Sequence, residues 1–286
     1  MHDILFATDL SPESERAFEH ARFLAERFRA SLTLYHVLEF PPRAYLRVVR
    51  GEAEEVLARA ETDARDRLER RSGNLTTPHQ IILEREVSSG QADIALIELI
   101  RRTRPDLTVM ATRGRKGFGR AFLGSVTQEV VHHAGRPVLC VRKPAHGPGL
   151  PYRRVLVPTD LSTASRRAFP LAALLARSFE AQVVALHVCP PSTTARLVSV
   201  PGPAPAGVPT EDDVCRFLGP EFDGLPLTAQ VYVNGAPWYR VVQVAEDEKI
   251  DLVVMSSQGH DSVRDEIIGS NTERVLRHAH CPVLVA

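Results

Sequence analysis

Two glycine-containing segments carry the residues whose types and spacing could bind a ligand. The first is Ala-Thr-Arg-Gly at 111–114, followed after nine residues by Gly-Ser-Val-Thr at 124–127. Glycine lets the backbone approach a ligand closely, and a Gly-Ser pair that opens a helix offers amides, a hydroxyl and the positive end of the helix dipole. The pattern predicts an anion-binding loop in which the amides of Gly124 and Ser125 face negatively charged oxygen.

The second segment repeats this arrangement. Ser-Ser-Gln-Gly at 256–259 is followed by nine residues and then by Gly-Ser-Asn-Thr at 269–272. A single Gly-x-x-Gly would be a weak signal. Two copies with the same loop and the same spacing, each placed after an apolar run, are a strong indication of a phosphate site.

The repeat extends over most of the chain. The segment Ile-Leu-Phe-Ala-Thr-Asp-Leu-Ser at 4–11 recurs as Val-Leu-Val-Pro-Thr-Asp-Leu-Ser at 155–162, an offset of 151 residues. Further along, Asp-Leu-Thr-Val-Met at 106–110 matches Asp-Leu-Val-Val-Met at 251–255, an offset of 145. Two related copies of one domain are therefore predicted.

The elements that must position these loops follow from the periodicity. Each copy alternates short apolar runs with amphipathic helical runs, which predicts an α/β domain with a parallel sheet and helices on both faces. We expect two domains, 1–143 and 153–286, joined by a Pro- and Gly-rich linker at 144–152. In copy one the strands are expected near 3–8, 31–38, 79–87, 106–112 and 137–142.

Helix signals support this organisation. Ser11 followed by Pro12 marks a helix start, and Ser162 repeats the cap. Pro170 falls inside the second copy of this helix, where we expect a kink. The run of alternating charges at 52–71 predicts a helix with a solvated face, with an exposed arm for a partner as the alternative.

Composition excludes several classes of protein. The chain has 286 residues, with 35 Lys and Arg balanced by 35 Asp and Glu, which argues against a nucleic-acid binder. It contains no run of about 20 apolar residues, so we expect no membrane span and a cytoplasmic location. The four cysteines are scattered singly, which predicts no metal site built from protein ligands.

Four motifs make the chain similar to the universal stress protein family in its tandem form. They are Thr-Asp-x-Ser at 8–11 and 159–162, His-Val at 36–37 and 187–188, the glycine segments, and His-Ala-x-x-Pro-Val-Leu at 133–139 and 278–284. The resemblance covers essentially the whole length. It implies a Rossmann-like fold, related to the adenine nucleotide alpha hydrolases, with five parallel strands in the order 3-2-1-4-5. It also implies ATP or AMP, with Mg²⁺, bound where the strand order reverses.

The resemblance assigns roles by position. Residues after strands one and two would hold adenine and ribose, and residues around strand four and the next helix start would hold ribose and phosphate. The residues implied in copy one are Ala7, Asp9, Val37, Met110, Ala111, Arg113, Gly114, Gly124, Ser125, Val126 and Thr127. Those implied in copy two are Pro158, Asp160, Val188, Met255, Ser256, Gly259, Gly269, Ser270 and Asn271.

The chain departs from the family pattern at three of these positions. Ala111 and Ser256 stand where the family has glycine, and Asn271 stands where it has valine. Basic residues surround the first loop and acidic residues the second. Triphosphate is therefore expected to prefer copy one.

No catalytic constellation accompanies these motifs. Asp9 and Asp160 lack a nucleophile or a second acid at recognisable spacing, which favours ligand-orienting carboxylates over bases. His36 and His187 are interpreted as packed scaffold residues. We expect a nucleotide-responsive regulatory or protective module rather than an enzyme. A slow ATPase or phosphotransfer enzyme and a nucleotide-free dimerising scaffold remain as alternatives.

The last strand of each copy predicts an interface. The runs at 138–141 and 283–285 would be sheet edges that need covering, and in the family such strands pair between domains. We expect the two domains to pack on each other, with a homodimer and an unidentified protein partner as further possibilities. Trp238 has no aromatic cluster beyond Tyr239 and is interpreted as packing.

Overall fold

The computed structural model describes residues 1–39, 54–86, 92–112, 123–142, 150–189, 208–233, 235–258 and 269–286. The chain divides into two compact units, unit 1 (Met1–Arg142) and unit 2 (Lys143–Ala286). Residues 144–149 of the predicted linker lie outside the described residues. Across the described ranges, every helix is too short or too polar to cross a lipid bilayer.

Unit 1 is an α/β domain built on a parallel sheet. Its elements in chain order are β1 (Asp3–Ala7), α1 (Pro12–Phe28), β2 (Ser31–Glu39), α2 (Glu54–Ser72), β3 (His79–Glu86), α3 (Ala92–Thr103), β4 (Leu107–Ala111), α4 (Ser125–His133) and β5 (Val138–Val141). The strands are arranged β3-β2-β1-β4-β5, and every pairing is parallel. This is the predicted order 3-2-1-4-5.

Unit 2 repeats the topology. Its elements are β6 (Arg154–Thr159), a 3-10 turn (Ser165–Ala168), α5 (Phe169–Phe179), β7 (Gln182–Cys189), α6 (Glu211–Leu218), a second 3-10 turn (Pro220–Phe222), β8 (Leu227–Val233), α7 (Pro237–Asp247), β9 (Leu252–Met255), α8 (Ser270–His278) and β10 (Val283–Val285). The order β8-β7-β6-β9-β10 is again 3-2-1-4-5 within the unit.

The central strands form the cores of both units. Ile4, Leu5 and Phe6 of β1 are all buried, as is the run 155–157 of β6. Parallel strands covered on both sides carry continuous apolar runs instead of an alternating pattern. This explains why short unbroken apolar segments located the strands in the sequence.

Helix α1 begins and ends at recognisable signals. The Ser11 side chain accepts a hydrogen bond from the Ser14 amide, and Pro12 occupies the first helical turn. At the other end Arg29 takes a left-handed conformation, and the Ala30 amide returns to the Ala25 carbonyl at 2.9 Å. These bonds satisfy some of the orphan groups at each end of the helix.

The predicted position of Pro170 inside a helix is wrong. Helix α5 begins at Phe169, so Pro170 lies in its first turn, where a missing amide removes no intrahelical hydrogen bond. The preceding residues Ser165–Ala168 form a 3-10 turn, and Ser162 accepts from the Ser165 amide at 3.2 Å. The proline therefore lies at the start of α5 and not in its interior.

The charged run is helical, as predicted, and forms α2. Its counterpart in unit 2 is the shorter helix α6, which opens with a capping box between Thr210 and Asp213. The proline-rich residues 190–207 that precede α6 lie outside the described residues.

Candidate functional site

The end of β1 lies between two neighbouring strands. Ala7 is in register with Tyr35 of β2 on one side and with Met110 of β4 on the other. The loops that follow β1 and β4 therefore leave the sheet side by side at its carboxyl edge, where the strand order reverses. Open α/β sheets bind ligands at this position.

Apolar side chains cover the strand ends at this edge. Ala7, Val37 and Met110 come from β1, β2 and β4 and are all buried. Ala111, the last residue of β4, is half-buried. The three adjacent strands thus present a small apolar surface beside the two loops.

The loop after β1 is held by its own side chains. The Thr8 hydroxyl donates to Ser14 Oγ at 2.8 Å and accepts from the Leu10 amide at 2.9 Å. Asp9 Oδ1 accepts from the Ser11 amide at 3.0 Å, and Asp9 is half-buried. These bonds place the Asp9 carboxylate at a defined position beyond the end of β1.

His36 holds the loop after β1 through a hydrogen bond to the backbone of Thr8. Its Nδ1 lies 2.8 Å from the Thr8 carbonyl oxygen, and the side chain is buried. A carbonyl oxygen can only accept, so Nδ1 carries the proton and donates. His36 therefore acts as a packed scaffold residue in the described structure.

The loop after β4 ends at a helix N-terminus. Helix α4 begins at Ser125, with Gly124 as its N-cap in an extended conformation and without a side-chain cap. The Thr127 hydroxyl donates to the Ala111 carbonyl at 2.9 Å and so ties the first turn of α4 to the end of β4. Ser125 is exposed and Val126 is half-buried.

One expectation about this helix start needs correction. The Gly124 amide donates to the Thr112 carbonyl at 2.9 Å, so it closes the loop within the chain instead of facing a ligand. The first amides of a helix have no intrahelical acceptor. Those of Ser125 and Val126 are the groups of α4 placed to receive an anion.

Three predicted residues lie outside the described residues. They are Arg113, Gly114 and Gly259.

Unit 2 repeats the hydrogen bonds of the first loop. Thr159 Oγ1 lies 2.8 Å from Ser165 Oγ and accepts from the Leu161 amide at 3.0 Å. Asp160 Oδ1 accepts from the Ser162 amide at 3.0 Å. Asp160 is exposed, whereas its counterpart Asp9 is half-buried.

The second loop of unit 2 is also equivalent. The Thr272 hydroxyl donates to the Ser256 carbonyl at 3.0 Å, and the Gly269 amide donates to the Ser257 carbonyl at 2.7 Å. Helix α8 begins at Ser270, which is exposed. The remaining predicted residues Pro158, Val188 and Met255 lie at or next to the strand ends, with Val188 and Met255 buried.

Unit 2 differs from unit 1 in side chains that tie its loops to neighbouring elements. Gln258 Oε1 accepts a hydrogen bond from Arg167 Nη1 at 2.9 Å, and the Gln258 backbone amide donates to Ser256 Oγ at 3.2 Å. Asn271 Oδ1 accepts from the Trp238 amide at 3.3 Å and so caps the N-terminus of α7. The departure at Asn271 therefore has a structural role in linking α8 to α7.

Sequence reasoning missed two residues near the first site. Arg67 and Arg71 of α2 both contact the loop at 8–11. Their spacing of four residues places them on one helix face, which was the available signal. Nothing in the charged run distinguished this pair from its solvated neighbours.

Comparison with known proteins assigns the family. The model of the universal stress protein family matches residues 1–142 and 151–286. A universal stress protein of Mycolicibacterium smegmatis is 27% identical over 306 residues, which cover 99% of this chain and 96% of that protein. Another, from Methanocaldococcus jannaschii, is 31% identical over 144 residues, 47% of this chain and 81% of the relative.

A solved structure agrees with the fold. The crystal structure of a universal stress protein from Archaeoglobus fulgidus superposes with a TM-score of 0.67 at 21% identity, over 99% of this chain and 97% of that chain.

The two matches to the family model together span nearly all of the residues. The chain therefore belongs to the universal stress protein family, with one family domain in each half.

Proposed function

We propose that unit 1 binds an adenine nucleotide, ATP or AMP, at the carboxyl ends of β1 and β4. The observation that carries the proposal is that Asp9 follows β1 while the N-terminus of α4, at Ser125, follows β4. A carboxylate accepts hydrogen bonds from ribose hydroxyls, whereas helix amides and the helix dipole favour phosphate. The two loops thus match a ligand with a hydroxylated middle and an anionic end.

The adenine ring would contact the apolar strand ends. Ala7, Val37 and Met110 supply buried apolar groups next to Asp9. Ala111, Arg113 and Gly114 would line the passage from ribose to phosphate, and the Ser125 and Val126 amides would receive the phosphates. Thr127 would hold the helix start in place through Ala111.

Mg²⁺ would enter with the phosphates. The described residues hold no group of three or more His, Cys, Asp or Glu side chains that could share a metal ion. Magnesium commonly binds through substrate phosphates, water and only one or two carboxylates. Bound Mg²⁺ would neutralise phosphate charge. The chain itself would bind the phosphates through the helix amides and the ribose through the Asp9 carboxylate.

Unit 2 would bind nucleotide more weakly. Its equivalent loops have the same backbone hydrogen bonds, which supports a second site at Pro158, Asp160, Val188, Met255, Ser256, Gly259, Ser270 and Asn271. The Gly269 amide closes the loop within the chain, as the Gly124 amide does in unit 1. Asp160 is exposed, however, whereas Asp9 is half-buried. This difference favours unit 1 as the stronger site.

The action of the protein in this proposal is regulatory or protective binding during stress. Slow ATP hydrolysis or phosphotransfer is the rival activity. A single-turnover measurement of ADP release separates the two. Binding without ADP release supports the proposal, whereas release that disappears in Asp9→Ala supports the enzyme.

Calorimetry tests the binding itself. ATP, AMP and cyclic nucleotides are titrated into the wild type, Asp9→Asn and Asp160→Asn, and affinity and stoichiometry are compared. We expect ATP binding in the wild type, a loss of affinity in Asp9→Asn, and a smaller effect in Asp160→Asn. A wild type that binds none of these nucleotides at millimolar concentration would overturn the proposal.

Assembly and location complete the proposal. We propose a cytoplasmic protein whose two domains pack on each other through their last strands, and which can associate further as a homodimer or with a protein partner. Light scattering after size-exclusion chromatography measures the mass against the 31.6 kDa of one chain. A single-chain mass at all concentrations would remove the homodimer.

A further inference from the structure

The guanidinium groups of Arg67 and Arg71 lie beside the loop at 8–11. Arg67 Nη2 donates to the Leu10 carbonyl oxygen at 2.7 Å. Arg71 Nη1 lies 3.4 Å from Thr8 Oγ1. Helix α2 therefore holds this loop at Thr8 and at Leu10, the two neighbours of Asp9 in the chain.

The bond from Arg67 acts on the peptide plane that orients Asp9. The Leu10 carbonyl and the Ser11 amide belong to the same planar peptide group. Arg67 holds the oxygen of this group, and Asp9 Oδ1 accepts from its nitrogen at 3.0 Å. A rotation of this plane would move the Asp9 carboxylate, so the guanidinium restrains the carboxylate through one peptide.

The bond from Arg67 acts on a residue whose backbone is in the left-handed region. Its φ is +61°, a conformation that side chains with a Cβ rarely adopt. A hydrogen bond from an ionised donor is stronger than one between neutral groups. Arg67 therefore stabilises the one orientation of the Leu10 carbonyl that the loop requires.

Arg71 connects the loop to the first turn of α1. Its side chain is 10% exposed, and it forms an ion pair with Glu15, whose side chain is 51% exposed. The guanidinium thus bridges Thr8 at the end of β1 and Glu15 on α1. A planar fork of donors suits this bridging role better than a single ammonium group.

Unit 2 builds the same loop without this pair. Leu161 has a φ of +60°, and Asp160 Oδ1 makes the same bond to Ser162. In the part of unit 2 that the structure describes, no arginine donates to the Leu161 carbonyl, and Arg216 of α6 pairs with Asp213 on its own helix. Within the described residues, the loop of unit 2 thus has the same local bonds at Thr159 and Asp160 without an arginine bond to Leu161.

We propose that Arg67 and Arg71 are positioning residues that hold the Asp9 loop ready for the nucleotide sugar, and that they make unit 1 the tighter site. The inference rests on the proposed nucleotide binding. Order that exists before binding does not have to be created by the ligand, so the affinity rises. The arginines touch the loop and need not touch the ligand.

Calorimetry in an Asp160→Ala background, which weakens unit 2, measures the effect. ATP is titrated into this protein and into Arg67→Ala, Arg71→Ala and the control Arg70→Ala. Arg70 is exposed, and its Nε donates to the Asp66 carbonyl of its own helix. We expect affinity to fall about five- to tenfold for Arg67→Ala and Arg71→Ala and to stay unchanged for Arg70→Ala. Arg67→Lys should restore part of the loss.

Two further measurements separate positioning from a general structural effect. Arg67→Ala combined with Asp9→Ala should cost no more affinity than Asp9→Ala alone, because the arginine acts through the carboxylate. Arg67→Ala should also reduce the preference for ATP over 2′-deoxy-ATP. Additive losses with an unchanged preference would overturn the inference.

The outcomes also distinguish this inference from the proposed function. If the Asp160→Ala protein does not bind ATP, the proposed function fails and this inference with it. If it binds and both arginine variants bind equally well, only the inference fails. Circular dichroism and thermal melting identify any variant that unfolds, in which case Arg67→Met and Arg71→Met, which keep an apolar stem but cannot donate, replace the alanine variants in the same comparison.

Discussion

The Thr127 hydroxyl donates to the Ala111 carbonyl oxygen at 2.9 Å, which joins the first turn of α4 to the last residue of β4. The equivalent bond, between Thr272 and Ser256, measures 3.0 Å in unit 2. Each helix N-terminus is therefore fixed to its own strand end by a side chain that does not face the ligand position. The orientation of the helix amides follows from this tie.

Replacing Thr127 with valine should loosen the helix start. Valine has the shape of threonine but cannot donate, so a buried hydrogen bond is lost. We expect the free energy of unfolding to fall by about 1–2 kcal/mol, together with a loss of ATP affinity. Urea denaturation and calorimetry measure the two effects. Thr272→Val is the matched control, and it should leave the affinity of unit 1 unchanged.

Replacing Gly124 with aspartate should separate stability from binding. The Gly124 backbone has φ −60° and ψ 143°, which other residues adopt without strain. A carboxylate N-cap stabilises a helix by about 0.3–1 kcal/mol through the dipole, yet it places negative charge where phosphate is proposed to bind. We expect the melting temperature to hold or rise while ATP affinity falls. Gly124→Asn, an uncharged cap of similar size, should reduce ATP affinity less, and equal losses would argue against a phosphate at this helix start.

Trp238 should report on unit 2. It is the only tryptophan of the chain, its amide donates to Asn271, and its ring centroid lies 5.0 Å from that of His278. Occupation of the α8 N-terminus should therefore change tryptophan emission.

Asn271→Val introduces the residue that unit 1 has at this position. It should lower stability by about 1 kcal/mol through loss of the α7 cap but preserve nucleotide affinity, because only its amide would face phosphate.

His20 should make unit 1 sensitive to acid. Burial lowers the pKa of His20 from 6.5 to about 4. Between these two pH values His20 is protonated in the unfolded chain but not in the folded chain. The free energy of unfolding therefore falls as pH decreases from about 6.5 to about 4. The full effect is about 3 kcal/mol. His20→Leu, which matches Leu171 in unit 2, should remove this part of the pH dependence, and denaturant unfolding at several pH values measures it.

The cysteines should react in two classes. Burial raises the pKa of both Cys140 and Cys281 to about 12, whereas Cys189 and Cys215 are only half-buried. Thiolates are the reactive species. A thiol-specific disulfide reagent at pH 8 should modify Cys189 and Cys215 first in the native protein, and all four in denaturant. Rapid labelling of Cys140 would contradict the packing of β5.

The sequence by itself determined where the strands lie and the local backbone of the candidate site, whereas the strand order was implied by the resemblance to a known family. Apolar runs located the strands because parallel strands buried on both sides need continuous apolar side chains. The Thr-Asp-Leu-Ser segment and the Gly-Ser pair set local backbone bonds, such as Asp9 to Ser11, between residues close in the chain. Local bonds of this kind depend on residue type and spacing, which a sequence displays directly.

Only the tertiary structure decided which groups are used across long separations. The Gly124 amide bonds to Thr112, the Asn271 side chain caps a helix 33 residues away, and Arg67 reaches Leu10 across 57 residues. The same holds for Pro170, whose effect depended on where α5 begins. Hydrogen bonds between distant residues depend on how helices pack on the sheet. The spacing of residues along the chain does not specify this side-chain packing.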